Sequence, residues 1–503
     1  MYNNGFKIFT IIAILLFIYG CIKTTTYIAP HEADKIYAAR KIIVTLSDGT
    51  EWELKNPYIE NNKIIGIGYD NRRKEIDLSL ITSVRTEKTD YTYAVLYGLA
   101  AAITVGLLIG AATAPEPPPP ESCPFVYSFD GEKYILDAEP YGAAICQGLK
   151  RTEWCGLEQL KETNGYYKIM IANELDETQY TDELRLVVVD HPNGIEVVPD
   201  TSGGIHTVSQ PHIPLLAYDS EGNDLVPIIS KNDLKFWRTR LEGKNPDKKE
   251  DLRDELIFEF PKPRGAKKAK LIVNAYTTFW GSQMVKRLLD LHGKEVYEWY
   301  KEVDNFGPAY FKVTSMNIRE ELYCLKIRVE TEIGWKSKGF IFGGGPFISD
   351  DKVYVIDISD VPGETLKIKL TPPANFWMIN YLALDYTEDI NVRITEIEPA
   401  EAMDRKGRDV RGILTQRDNT YFVMPNIGDE AELVFESPPQ DNSMDRSIIL
   451  KVSGYYDIHL DAKAEPQREI LNRYLMEPDF AIHYAFKEYL KWKKENTKRT
   501  ERK

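Results

Sequence analysis

A long uncharged apolar segment constrains the fold more than any other feature of this sequence. Residues 91–114 carry no charged side chain, and a run of this length is sufficient to cross a bilayer as a helix. Gly106 and Gly110 have the spacing that lets two helices approach closely in lipid. The proline-rich residues 115–122 follow at once and would end such a helix. We therefore predict one glycine-rich membrane segment with a stiff spacer behind it, and a buried core helix is the alternative.

A second apolar run lies at the start of the chain. Lys7 precedes the apolar residues 8–19, and Gly20 and Cys21 follow them. A positive residue, an apolar core and a small residue form the pattern of a secretory signal. The segment resembles the signal peptide of a bacterial lipoprotein, and the resemblance implies cleavage before Cys21 and a diacylated, palmitate-bearing cysteine. The alternative is an uncleaved signal anchor.

The charged residues on either side of residues 91–114 indicate on which side of the membrane the residues after this segment lie. Basic residues precede the segment, and Glu116 and Glu121 follow it, which favours an external C-terminal part by the positive-inside rule. A single crossing after an external anchor at Cys21 would place that part inside instead. The two placements would be compatible if residues 91–114 inserted into the membrane as a re-entrant or oligomeric element. We expect a lipid anchor in the cell membrane or outer membrane, with most of the chain outside the cytoplasm.

The chain of 503 residues is long enough for several domains. Its hydrophobic fraction of 43% and charged fraction of 28% are those of a folded protein. The formal net charge of −14 argues against nucleic acid as a partner, because phosphate binding needs a basic face. The predicted segments are a signal peptide (1–20), a linker (21–37), a small β-barrel-like domain (38–88), the membrane segment (91–114), the spacer (115–122), a β-rich domain (123–263), a helical connection (264–304), a β-sandwich module (305–395), a β-rich extension (396–465) and an amphipathic helix with a basic tail (466–503).

Alternating apolar and polar residues, separated by turn signals, predict a mainly β fold. Two alternating runs within residues 38–88 flank the turn signal at Asp48-Gly49. This region resembles the small SH3-like or Sm-like β-barrels of bacterial envelope proteins.

The later part of the chain predicts β-sandwich modules with a few helices. A helical stripe at residues 282–300, broken or kinked by Gly293, interrupts the strands. From residue 310 we expect strands again. Residues 305–395, with aromatic runs around Trp335 and Trp377, resemble jelly-roll or galactose-binding-like modules. A C-terminal amphipathic helix completes the predicted fold.

Four cysteines remain if Cys21 carries lipid. Cys146 and Cys155 are near enough in sequence to close a small disulfide loop, and Cys123 with Cys324 would then be the long-range pair. Four unpaired, partly buried thiols are the alternative. A zinc site is disfavoured, because the sequence contains no Cys-x-x-Cys pair.

Catalytic sequence motifs are missing from the chain. It has no Gly-x-Ser-x-Gly elbow, no His-Glu-x-x-His and no phosphate loop ending in Gly-Lys-Ser/Thr. His206 and His212 lie in a Pro- and Gly-rich loop without a nearby acidic partner, so we assign them no catalytic role. The sequence Gly343-Gly344-Gly345-Pro346 predicts a tight turn between strands. We predict no catalytic residue.

Acidic clusters offer two further kinds of site. One group invites comparison with the paired carboxylates of glycosidases, but its position on a predicted turn favours a solvated face. A second group offers oxygen ligands for a structural calcium, although ordinary loop acidity is favoured. We therefore predict no metal and no cofactor apart from the lipid on Cys21. The first group is Glu174, Asp176, Glu177, Asp182 and Glu183, and the second is Asp350, Asp351, Asp385, Glu388 and Asp389.

Aromatic residues are the best candidates for a ligand surface. Exposed rings provide flat stacking surfaces for sugars or proteins. Core packing is the default for most of these aromatic residues, and Trp335 and Trp377 are the two to test as exposed stacking residues. We predict a membrane-anchored envelope lipoprotein with a non-catalytic binding or scaffolding role, whose partners are the membrane and other envelope proteins or glycans. One alternative is a carbohydrate-binding or carbohydrate-active envelope protein. Another is a subunit of a membrane complex assembled through Gly106 and Gly110.

Overall fold

The computed structural model describes residues 22–28, 36, 39, 41–47, 50–68, 72–90 and 124–500. The chain forms two compact units, Met1–Ala114 and Pro115–Lys503. Within the described ranges, no helix combines the length and apolar character that a bilayer crossing requires. The predicted signal peptide, Cys21, the membrane segment with Gly106 and Gly110, and the spacer lie outside these ranges. What the sequence indicates about them stays a prediction.

The first unit contains a six-stranded antiparallel sheet. Its strands are β1 (Ile22–Ile28), β2 (Lys41–Leu46), β3 (Glu51–Glu60), β4 (Lys63–Gly68), β5 (Arg73–Asp77) and β6 (Ile81–Asp90), in the order β1-β6-β2-β3-β4-β5. Ile42 and Val44 of β2 point into one apolar core, which is the period of two of a half-buried strand. Asn61 and Asn62, both with positive φ, form the turn between β3 and β4. The β structure predicted for residues 38–88 is confirmed.

Strands from the start of the second unit and from residues 393–458 form two antiparallel sheets, which we name the first sheet pair. One sheet contains β7 (Phe125–Phe129), β8 (Tyr134–Ala138), β10 (Tyr166–Ala172), β24 (Glu401–Asp404) and β26 (Glu430–Glu436), in the order β24-β26-β10-β7-β8. The other contains β9 (Arg151–Gly156), β11 (Glu177–Pro192), β23 (Arg393–Ile397) and β27 (Met444–Ile458), in the order β23-β11-β27-β9, with β25 (Phe422–Met424) on β11. Ile169, Leu184 and Leu450 from both sheets share one apolar core.

A second sheet pair is inserted in the chain between β11 and β23. One sheet contains β14 (Leu216–Asp219), β16 (Leu256–Pro261), β18 (Cys324–Thr331), β19 (Gly334–Phe342) and β21 (Thr365–Leu370), in the order β14-β16-β21-β18-β19. The other contains β15 (Trp237–Arg238), β17 (Lys268–Thr277), β20 (Asp350–Asp357) and β22 (Trp377–Asp385), in the order β15-β22-β17-β20. The mainly β prediction is therefore confirmed.

A short hairpin links the two sheet pairs. It consists of β12 (Glu196–Pro199) and β13 (Ile205–Val208). Val197 packs against Val187 of the first pair, whereas Val198 packs against Ile272 and Val353 of the second. Because successive side chains of a strand point to opposite faces, one strand buries its two faces in two different cores.

Seven helices are described. They are α1 (Val226–Ile229), α2 (Phe279–His292), α3 (Val296–Asp304), α4 (Pro308–Glu320), α5 (Arg411–Leu414), α6 (Arg468–Met476) and α7 (Phe480–Thr500). The predicted break at Gly293 is confirmed: it lies between α2 and α3 with a φ of 52°. A Cβ there would lie 2.2 Å from the Ala464 carbonyl oxygen. The predicted C-terminal helix is present as α6 and α7.

One predicted strand region is helical instead. Strands were expected from residue 310, but α4 occupies Pro308–Glu320. Pro308 is suited to a first helical turn, where its missing N–H is not needed. Ala309, Val313 and Met316 are buried at helical spacing. Local periodicity therefore overrides the surrounding β pattern.

The predicted boundaries at 263/264, 304/305 and 395/396 fall inside paired sheets. β16 pairs with β21, and β17 pairs with both β20 and β22. β23 itself spans the last of these boundaries. Strands from three predicted segments therefore build common sheets within one unit.

Candidate functional site

A cavity of about 240 Å³ lies where the two sheet pairs meet, and we name it the junction cavity. β9 ends one sheet of the first pair, and β20 ends one sheet of the second. Val273 and Ala275 of β17 and the end of β19 complete the wall. The polar and aromatic residues that define the cavity are Glu139, Arg151, Trp154, Phe342, Asp350 and Lys352.

Two side chains of β20 form hydrogen bonds with the edge of β9, where a neighbouring strand would otherwise provide backbone partners. Lys352 Nζ donates to the Trp154 carbonyl oxygen at 2.5 Å, and the Gly156 N–H donates to Asp350 Oδ1 at 3.3 Å. In an antiparallel strand, backbone groups alternate between its two edges. The groups of Trp154 and Gly156 therefore point away from β27 and toward β20. The backbone groups on this edge of β9 therefore have Lys352 and Asp350 as their hydrogen-bond partners.

Lys352 and Asp350 also form an ion pair with each other. Burial disfavours the charged ammonium, but the surrounding negative groups, Asp350 foremost, together outweigh this effect and raise the pKa of Lys352. Lys352 is therefore a partly buried cation held in its charged form by a neighbouring anion.

Glu139 lies just after β8, with its carboxyl group buried in the cavity wall. Glu139 Oε2 accepts a hydrogen bond from the Phe347 N–H at 2.8 Å. Among the described residues, no partner reaches Glu139 Oε1. Burial raises the pKa of Glu139 well above its ordinary value. Burial therefore favours the uncharged carboxylic acid over the carboxylate.

The three glycines of the Gly343-Gly344-Gly345-Pro346 loop leave room for the Glu139 side chain. A Cβ on Gly345 would lie 2.0 Å from Glu139 Cδ, and a Cβ on Gly343 would lie 2.7 Å from Thr277 Cγ2. The prediction of a tight turn is wrong, because this loop joins β19 and β20, which belong to different sheets. The glycines are needed for the close approach of the loop to neighbouring side chains.

A second ion pair lines the cavity. Arg151 Nη2 lies 2.6 Å from Glu153 Oε1 and donates to the Gly343 carbonyl oxygen at 3.3 Å. Tyr354 accepts a hydrogen bond from the Phe342 N–H at 3.1 Å, and burial raises the pKa of this phenol to about 12. The charged and hydroxyl groups of the site are thus held by contacts within the protein.

Trp154 is the large aromatic residue of this site, and the sequence analysis did not select it. A Cβ on Gly203 would lie 2.3 Å from the Trp154 ring, so only glycine permits this contact. Lys451 Nζ lies 5.4 Å from the ring centroid. Trp154 sits in an ordinary alternating strand, and no local pattern distinguishes it from a core residue.

The two tryptophans selected as candidate stacking residues do not form a ligand surface. Trp377 is completely buried, and its Nε1 donates to the Glu321 carbonyl oxygen at 3.0 Å, so its prediction is wrong. Trp335 is half-buried, with Lys369 Nζ at 4.5 Å from its ring centroid. The two residues belong to different sheets, on β22 and β19.

Cys146, Cys155 and Cys324 carry free, buried thiols in the described part of the chain. The predicted Cys146–Cys155 disulfide is therefore wrong, and the alternative of unpaired thiols applies. Cys155 points into the shared core from β9. Burial raises the pKa of all three thiols, that of Cys324 to about 11, so they are not activated nucleophiles. Cys123 lies outside the described residues.

His206 has acidic neighbours that the sequence analysis did not expect. Its Nδ1 lies 2.8 Å from Asp389 Oδ2, and its Nε2 lies 3.3 Å from Asp200 Oδ2. Lys270 Nζ is 3.1 Å from Asp389 Oδ1. These contacts tie β13 and β17 to the loop after β22, which is a structural role.

The first acidic group does not form a solvated turn throughout. Glu177, Asp182 and Glu183 are buried on β11, whereas Glu174 and Asp176 are exposed. Asp182 forms an ion pair with Lys150, and Glu177 Oε1 accepts from Gln179 Nε2 at 2.8 Å. The solvated-face prediction is wrong for these three residues, because their partners fold over them.

The second acidic group binds protein donors. Asp351 Oδ1 accepts from Asn274 Nδ2 at 2.8 Å, and Asp385 Oδ2 accepts from the Ser209 N–H at 2.7 Å. Across the described ranges, no group of three or more His, Cys, Asp or Glu side chains is placed to hold a metal ion.

No protein-family model matches the chain, and a search of curated protein sequences finds no match. The residues of the junction cavity come from β8, β9, β17, β19 and β20, which are far apart in sequence. No short motif encodes them, and the chemistry of the site follows from its geometry.

We expect Lys352→Met to destabilise the protein by about 1–3 kcal/mol, because it removes the donor to the Trp154 carbonyl oxygen and leaves the partly buried Asp350 without its cation. The free energy of unfolding, measured with denaturant, checks this value. The matched control is Lys336→Met, which breaks the exposed pair with Asp360 and should cost about 0–1 kcal/mol. Equal losses of unfolding free energy in the two variants would show that the Lys352–Asp350 pair does not hold the sheet edges together.

The glycine loop offers a second matched pair of variants. Gly345→Ala should cost about 1–3 kcal/mol, since its Cβ would overlap the Glu139 carboxyl group. Gly344→Ala should stay within about 0.5 kcal/mol of the wild type, because its Cβ meets no described atom within 4 Å. Denaturant unfolding distinguishes them. A neutral Gly345→Ala would contradict the close contact.

Proposed function

We propose that the protein is a membrane-anchored envelope lipoprotein with a non-catalytic binding role, exercised at the junction cavity. The cavity carries the proposal for binding: it is concave, largely apolar and lined by a few fixed polar groups, as small-molecule sites are. Its ion pairs are formed before any ligand arrives. Pre-formed polar groups reduce the ordering cost of binding.

The membrane part of the proposal rests on the sequence. The lipoprotein-like signal ending at Cys21 supports a lipid anchor in the cell membrane or outer membrane, and residues 91–114 support a membrane contact. We also propose that the first unit is a small barrel of the SH3-like or Sm-like kind and that the sheet pairs are jelly-roll-like modules. The antiparallel six-stranded sheet and the paired antiparallel sheets support this finer assignment.

Metabolic labelling with an alkyne fatty acid tests the anchor. We expect the wild type to be labelled and Cys21→Ser to lose the label. Cys324→Ser, which removes a buried thiol of the second unit, should keep it. A C-terminal tag should be digested by protease in spheroplasts. Protection of the tag until the inner membrane is lysed would contradict an external body.

One observation favours a carbohydrate-active protein as the alternative. Glycoside hydrolysis needs two carboxyl groups facing one cleft, of which one has a raised pKa. Glu139, with its raised pKa, and Glu153 line the same cavity. In this alternative Glu139 would be the general acid, which requires that it stay protonated at neutral pH.

The variant Glu139→Gln tests this requirement through stability. A carboxyl whose pKa is raised by folding stabilises the protein below its unfolded pKa of about 4.3 and loses that contribution as pH rises through the folded pKa. We therefore expect the wild type to become less stable relative to Glu139→Gln as pH rises above about 4. Unfolding at pH 4 to 8 measures this, with exposed Glu132→Gln as the control. A pH-independent difference would remove the alternative.

A further inference from the structure

We propose that the junction cavity binds one uncharged sugar ring and excludes charged sugars. This inference rests on the proposed binding role and specifies its ligand class. The charges, the hydrogen-bonding groups and the size of the cavity each point to this class.

The charges of the cavity cancel. Its ionised groups are two cations and two anions, already paired as Lys352 with Asp350 and Arg151 with Glu153. The other ionisable carboxyl group among the described lining residues is Glu139, which is buried and without an ion-pair partner, so burial favours its uncharged form. A charged ligand would have to compete with one of these pairs and leave a partner in the cavity wall without its counter-ion, which is unfavourable. A neutral ligand disturbs neither pair.

Polar atoms of the wall await hydrogen-bond partners. Within the described residues, Glu139 Oε1 and Arg151 Nε are buried and have no hydrogen-bond partner, and both residues line the cavity. Buried polar atoms in proteins are nearly always hydrogen-bonded, so two such atoms at one cavity need an explanation. Glu139 Oε2 already accepts from the Phe347 N–H, which leaves Oε1 as the carboxyl oxygen open to a ligand, while Arg151 Nε can only donate. Hydroxyl groups both donate and accept, and therefore match this mixed set.

The remaining wall is apolar and the space is small. Val273, Ala275 and Ile341 line it, and Phe342, with 46% of its surface exposed, lies at its rim. A sugar ring presents hydroxyl groups at its edge and C–H groups on its faces, which suits a wall of both kinds. The volume of about 240 Å³ lies below the range of about 300–1,000 Å³ that holds drug-sized ligands. One ring is therefore the expected occupant.

Equilibrium dialysis of the full chain, in a detergent without a sugar headgroup, tests the inference. The probes are glucose, galactose, mannose and N-acetylglucosamine, compared with glucosamine as a cation and glucuronic acid as an anion. We expect one neutral sugar to bind with a stoichiometry of one and at least about tenfold more tightly than both charged sugars. Equal or tighter binding of a charged sugar, or binding of none of the neutral probes, would overturn the inference.

Variants locate the bound sugar. Ala275→Leu fills the cavity and should abolish binding, whereas Val355→Leu, at an exposed position of β20, should leave it unchanged. Ala275→Val adds less volume at the same point of the wall, and it should weaken binding even if Ala275→Leu fails to fold. Undiminished binding in folded Ala275→Leu or in Ala275→Val would place the sugar elsewhere and overturn the inference.

Two sources could supply the same ring, a free sugar or the terminal residue of a glycan. Methyl glycosides that bind as tightly as the free sugar would indicate a glycan end, and weaker binding of the glycosides would indicate a free sugar. The labelling of Cys21 and the digestion of the C-terminal tag are measured independently. Failure of sugar binding with a labelled, external protein would reject the ligand class and leave the envelope lipoprotein proposal standing.

Discussion

The partly buried ion pair of Lys352 with Asp350 joins the edges of two sheets, and the arrangement of the second unit depends on it. A strand edge presents backbone groups that need hydrogen-bond partners. Here Lys352 and Asp350 bind the Trp154 carbonyl and the Gly156 N–H directly. The β12–β13 hairpin supports the same junction, because adjacent residues of β12 are buried in different cores. Charge and apolar packing therefore act together at one place.

The candidate site is a consequence of this way of joining sheets. A continuous ladder would have placed β9 and β20 side by side, whereas side chains hold them with a cavity beside the contact. The same side chains settle the electrostatics of the cavity, since each cation already has its anion. Burial of Glu139 favours its uncharged form, so this residue contributes a polar group and not a further ion. The contact that builds the fold is thus also the feature that selects an uncharged ligand.

The sequence predictions failed where a distant partner decides the outcome. Asp182 looked solvated because its local pattern is a turn, but Lys150 pairs with it inside the protein. Trp377 looked like a stacking surface, but its strand runs through the middle of a sheet and its Nε1 finds the Glu321 carbonyl. The three domain boundaries followed local composition, whereas strands pair across them. Each of these partners lies too far away along the chain to be identified from a short segment of sequence.

The sequence by itself determined the mainly β character, the helix break at Gly293 and the helical C terminus, because each depends on the spacing of residues within one segment. Only the tertiary structure decided the insertion of one sheet pair into another, the free buried thiols and the junction cavity. The carboxyl group of Glu139 illustrates the reason. Its burial depends on the loop at Gly345, which approaches it only after the sheets have assembled. Desolvation and steric fit are properties of that assembled surface.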